Sequence, residues 1–72
     1  MSEMSVYRVT EVIGTSTESW EAAARSAVET AAGTVRELRV AEVVRQDVTI
    51  ENGSVTSFRV RLAISFKYAS ES

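Results

Sequence analysis

A chain of 72 residues with a formal net charge of −2 reads as one small domain, residues 1–72, whose core is marginally stable alone. It contains no cysteine, histidine or proline, which removes disulfides, thiolate metal sites, cysteine nucleophiles, the commonest general base and the commonest transition-metal ligand. The weak charge and dispersed basic residues argue against a nucleic-acid partner, and no apolar run approaches a membrane span.

Small domains without such staples gain stability by oligomerising, so self-association is the first expectation. Met1-Ser2-Glu3 is not a signal-peptide start, and a soluble cytoplasmic protein follows as the default. Residues 1–4 and 69–72 read as flexible polar ends. Between Ser5 and Gly14, the run Val6, Tyr7, Val9, Val12, Ile13 is β-branched and aromatic, which predicts a first strand ended by Gly14.

Thr15-Ser16-Thr17-Glu18 then supplies a helix start. Thr15 with Glu18 three residues on fits a capping box, and Ser16 is an alternative cap. The alanine-rich segment from Glu18 to Val35 or Arg36 predicts a helix, with Trp20, Ala24, Ala27, Val28, Ala31, Val35 and Leu38 on one stripe. Small alanines let such a helix lie close to a sheet, while Gly33 weakens its end.

From Leu38 to Tyr68 the pattern changes to a period of two. Leu38, Val40, Glu42, Val44, Gln46, Val48 and Ile50 alternate with Arg39, Ala41, Val43, Arg45, Asp47, Thr49 and Glu51. Phe58, Val60, Leu62, Ile64, Phe66 and Tyr68 repeat the alternation on the return. Asn52-Gly53 between them supplies the positive φ angles of a tight turn, which makes the segment one long hairpin. The order is strand, helix, strand, strand: an α+β unit with a three-stranded antiparallel sheet packed on one helix. One helix is too short to cover both hairpin strands, so part of the apolar face is expected to meet another subunit.

Glu42 is the one acid on the apolar-patterned face of the second strand, where pairing with an arginine outweighs acid–base chemistry as a reading. Gln46 on that face suits hydrogen bonding at an interface. Asp47, Thr49 and Glu51 present hard oxygens of the type calcium or magnesium prefers, although alternating acids on a strand also describe a plain solvated face. Arg59, Arg61 and Lys67 suit phosphate or carboxylate, with cross-strand pairing to Asp47 and Glu51 the simpler account. Trp20 reads as core. No catalytic triad, phosphate loop or zinc cluster is present, which argues against an enzyme.

Gly14-Thr15-Ser16, Glu18-Ser19-Trp20, Val40-Ala41-Glu42-Val43-Val44, Gln46-Asp47 and Ser65-Phe66-Lys67 occur in an order and spacing that resemble the dodecins, over about Ser5 to Lys67. The resemblance implies a β-α-β-β subunit that assembles into a hollow homododecamer, many members binding flavins in pairs between subunits. It also implies two ligand positions. A tryptophan that stacks on the flavin ring stands where this chain has Val40, and a glutamine that hydrogen-bonds the ring edge stands where it has Arg59. Valine has no π surface, so a stacking contribution of about 0.5–1.5 kcal/mol per aromatic pair is lost. Arginine only donates, whereas an amide donates and accepts. In an ideal ribbon Val40 and Arg59 fall on opposite faces, so a bulge or a neighbouring subunit is needed to bring them together. Val40 and Arg59, with Ser19-Trp20 and Gln46-Asp47, resemble the branch called calcium dodecins. That branch implies a divalent-cation site in place of flavin, for which Asp47 and Glu51, then Glu42, are the chemically suitable residues.

Overall fold

The computed structural model describes residues 6–34 and 37–67. Its elements are β1 (Tyr7–Ser16), α1 (Trp20–Ala32), β2 (Leu38–Glu51) and β3 (Ser54–Lys67). All three strands form one antiparallel sheet in the order β1-β3-β2, so β3 is central and the first strand lies beside it. Asn52 (φ 53°) and Gly53 (φ 79°) turn the hairpin, both in the left-handed region that a two-residue primed turn requires. Tyr68, the expected last hairpin residue, and the two polar ends lie outside the described residues.

The first strand does not stop at Gly14. It continues to Ser16, because Thr15 and Ser16 pair with Arg59 and Phe58 of β3. Gly14 instead sits opposite Val60, where the helix crosses so closely that an added Cβ would lie 2.4 Å from the Ala23 carbonyl oxygen and 2.9 Å from Ala27 Cβ. This close approach needs glycine.

Strand pairing also displaces the helix start. Neither Thr15 nor Ser16 caps α1. Ser16 Oγ accepts from the Glu18 amide at 2.9 Å, and Ser19, in extended backbone, caps the helix by accepting from the Ala22 amide at 3.0 Å. Gly33 closes the other end, its amide donating to the Thr30 carbonyl at 3.1 Å. Val35 and Arg36 lie outside the described residues. Leu38 belongs to β2 rather than to the helix, although it packs on the same core.

The core is Ala23, Ala27, Val60, Leu62 and Ile64, flanked by Val12, Trp20, Ala24, Val28, Ala31 and Leu38. Ala23 belongs to the buried stripe although the sequence stripe omits it. Small side chains at Ala23 and Ala27 are what allow the helix backbone down onto the middle of β3. The apolar face of β3 is thus sealed by the subunit's own helix, Val60, Leu62 and Ile64 being only 1% exposed.

β2 departs from a perfect alternation. Its ladder with β3 shifts between Leu38 and Val40 and again between Val43 and Arg45, so that Arg39 and Val44 are extra residues; a third shift lies at Thr49/Ile50. Each extra residue reverses the faces that follow. Cross-strand partners share a face, so Leu38, Ala41, Val43, Gln46 and Val48 lie on the helix side, opposite Phe66, Ile64, Leu62, Val60 and Phe58. Val40, Glu42, Arg45, Asp47 and Thr49 lie on the other. The uninterrupted face expected from the sequence is therefore split at the two bulges, and Glu42 changes sides.

A 13-residue helix spans about 20 Å, whereas a 14-residue strand spans about 46 Å. The hairpin therefore runs past its cover toward the tip, where Ile50 is 64% exposed, while Val43, opposite the buried Leu62, is 49% exposed because α1 lies over β1 and β3 more than over β2.

Candidate binding face

The helix-free side of the sheet carries the polar residues in rows across β1, β3 and β2. Glu11, Ala63 and Glu42 form one row; Ile13, Arg61 and Arg45 the next; Thr15, Arg59 and Asp47 the third; and Ser57 with Thr49 continues toward the tip. Alternation puts these side chains there, and the bulge at Val44 joins Glu42 to Asp47 on one side.

Asp47 is the best-anchored acid. Arg59 donates to both carboxylate oxygens, Nε to Oδ1 at 2.8 Å and Nη2 to Oδ2 at 3.2 Å, the expected cross-strand pairing. These hydrogen bonds hold the Asp47 carboxyl below its ordinary value against a smaller opposing effect of desolvation, and the positive fields of Arg59, Arg45 and Arg61 act in the same direction as the hydrogen bonds. Asp47 in turn raises Arg59. Behind the pair, Trp20 packs edge-on to Phe58, centroids 5.1 Å apart, and its Nε1–H donates to the Asp47 carbonyl at 3.1 Å. Trp20 is half-buried and packs against the core, and it also ties the start of α1 to the backbone of the binding strand.

The other expected partners differ. Arg61 donates to Glu11 of β1 at 3.2 Å rather than to Glu51, which stands opposite Ser54. Lys67 lies at the far end of β3, opposite Tyr7. Glu42 is exposed opposite Ala63, carried off the apolar-patterned side by the bulges, and makes no ion pair among the described residues although Arg45 and Arg61 form the next row. Thr49 Oγ1 is engaged by the Thr56 and Ser57 hydroxyls, each at 2.7 Å. Gln46 is on the helix side opposite Val60.

Val40 and Arg59 share the helix-free face, the bulge at Val44 resolving the parity conflict of the ideal ribbon. They remain apart, since Val40 faces Ser65, six residues along β3 from Arg59 and hence about 20 Å away. Glu42, Asp47 and Glu51 are likewise about 13 Å from one to the next along β2. Among the described residues no three acids converge to hold a metal ion within one subunit. The donors are of the right chemical type for calcium, but one chain presents them singly. Two participants escaped the sequence reading: Glu11, whose contact spans strands far apart in the chain, and Arg45, whose face depends on the bulge. No signal short of the sheet register identifies either.

Among the described residues no helix is long and apolar enough to cross a membrane. Comparison with known proteins gives a consistent set of relatives. The family model described as Dodecin matches residues 6–69. The calcium dodecin of Mycobacterium tuberculosis (strain ATCC 25618 / H37Rv) is 45% identical over 64 residues, which cover 89% of this chain and 90% of that protein. A solved dodecin from Streptomyces coelicolor superposes with a TM-score of 0.88 at 39% identity, over 99% of this chain and 100% of that one. The crystal structure of the M. tuberculosis calcium dodecin, described as a calcium-chelating antigen with a novel calcium-binding site, gives 0.79 at 42% identity, over 94% of this chain and 97% of that one.

Proposed function

The chain belongs to the dodecin family, and on that footing we propose that it is a non-enzymatic, self-assembling cytoplasmic protein that binds or stores a divalent cation, calcium first, between subunits. The observation that carries this reading is the identity of two separate positions, Val40 and an Arg59 already engaged by Asp47. The position that the family resemblance assigns to a stacking tryptophan holds an aliphatic side chain. The position it assigns to a hydrogen-bonding glutamine holds a cation that offers no acceptor and is held in place by two hydrogen bonds to Asp47. A flavin in the usual mode thus loses both of its contacts.

Calcium takes about six to eight oxygen ligands, and acids spaced about 13 Å apart on one strand cannot supply them together. Copies brought together by assembly can. On β2, Glu42 and Glu51 make no ion pair among the described residues, which suits them to such a shared site. Asp47 joins them only on releasing Arg59. The open groove between α1 and β2, lined by Ala24, Val28, Ala41, Val43 and Leu62, supports the self-association on which the site depends, and a homododecamer is the assembly the family resemblance implies.

The test is a flavin fluorescence titration of the purified assembly, its mass confirmed in the same buffer, followed by calcium calorimetry. The expected result is no stoichiometric quenching by riboflavin or FMN, together with calcium binding that weakens in Glu42→Gln and Glu51→Gln. Stoichiometric quenching would establish an altered flavin pocket instead. An intact dodecamer that binds neither would be a structural shell.

A further inference from the structure

Arg45 and Arg61 are direct cross-strand partners on the helix-free face, at the point where the β2 ladder resumes after its bulge. Like charges directly opposite each other in an antiparallel pair are destabilising, because their Cβ atoms stand only about 5 Å apart. The surroundings pair only one of the two. A recess of about 40 Å3 is lined by Ile13, Arg45, Asp47, Arg59, Val60 and Arg61. Of its three guanidinium groups, Arg59 is matched by Asp47 and Arg61 by Glu11, which leaves Arg45 with no hydrogen bond or ion pair among the described residues. Glu42 shares the face one row away but makes no ion pair with it.

We propose that the Arg45–Arg61 pair and the recess beside it form a binding site for a tetrahedral oxyanion of the phosphate class, free or as a phosphate monoester. Guanidinium groups offer forked N–H donors that match phosphate oxygens two at a time, and two such forks across adjacent strands converge on one anion. The anion supplies the counter-charge that Arg45 lacks and relieves its opposition to Arg61. Asp47, held on Arg59, forms the far wall and repels an anion from that end, so the contact falls on Arg45 and Arg61. Ile13, opposite Arg61 in β1, closes the third side with an apolar surface. This site carries the opposite charge preference to the cation site and does not depend on it.

Calorimetric titration of the assembled protein at constant ionic strength tests the proposal, with inorganic phosphate in one arm and glycerol 3-phosphate in the other. Both arms are expected to show saturable binding, a tighter monoester arm identifying a phosphorylated small molecule as the preferred source. Arg45→Gln is expected to weaken binding about ten- to one-hundred-fold, in line with loss of charge-assisted hydrogen bonds, while Lys67→Gln at the far end of β3 removes one positive charge with no effect. Melting in chloride buffer provides an independent readout. Without phosphate, Arg45→Gln melts higher than the parent protein because the like-charge opposition is relieved; phosphate raises the parent and leaves the variant where it was. Absence of binding in both arms would overturn the proposal. Equal phosphate effects on the parent, Arg45→Gln and Lys67→Gln would do so as well, since that pattern is general screening.

Discussion

The Asp47–Arg59 pair makes its contribution to stability conditional on pH, and the direction follows from the sign of the shift. A carboxyl whose folded pKa is depressed stabilises the fold fully above its unfolded value, about 3.9, and loses that stabilisation as pH falls through the lower folded value. Asp47→Asn is therefore expected to show a flatter loss of stability on acidification below pH ~4 than the parent, read by chemical denaturation at a series of pH values. The cause is separable from the field of the neighbouring arginines. In Arg59→Gln, a carbon-detected NMR titration of Asp47 should move the pKa back up, most of the way to an ordinary aspartate. If it stays low, Arg45 and Arg61 are the larger influence. The same variant frees the carboxylate for metal coordination. On the cation reading, Arg59→Gln binds calcium more tightly than the parent does.

At the scale of elements, the helix is seated by the absence of a side chain. Gly14 of β1 lies directly under the Ala23 carbonyl and the Ala27 Cβ, and the nearest atom to an added Cβ is a carbonyl oxygen that no rotamer change can move. Gly14→Ala must lift the helix off β3, which is expected to cost about 1–3 kcal/mol, measured by urea denaturation. A neutral substitution would show that α1 rides on the sheet more loosely than the 2.4 Å approach implies. The strands and the hairpin turn were legible because alternation, β-branching and Asn-Gly are local signals. The helix start was not. Thr15 and Ser16 are good capping residues, yet pairing with Arg59 and Phe58 holds them in the sheet and passes the cap to Ser19.

The whole molecule separates two apolar surfaces that the sequence pattern merges into one. Val60, Leu62 and Ile64 are sealed within the subunit, so a charge at Leu62 tests folding more than assembly. Val43 is different. It faces the helix side but stands half exposed at the open groove beside α1, where a neighbouring copy is the expected cover. Val43→Glu should leave a folded subunit while shifting the mass in light scattering from the large assembly to small species. Calcium binding is lost with it if the acids act across subunits. A full-sized assembly from this variant would place the contact surface elsewhere.

By itself the sequence determined the element order, the strand and helix types, the turn at Asn52-Gly53, the packing of Trp20 against the core and the likeness to the dodecins. Each of these rests on neighbours a few residues apart, or on residue types at set spacings. Only the tertiary structure decided which face each residue of β2 serves. Two bulges, invisible to a count of alternating residues, carry Glu42 to the polar side and Ala41 and Val43 to the helix side. They also set Arg45 against Arg61. Register is a property of pairing between strands distant in the chain, and one extra residue in a ladder of period two exchanges inside for outside.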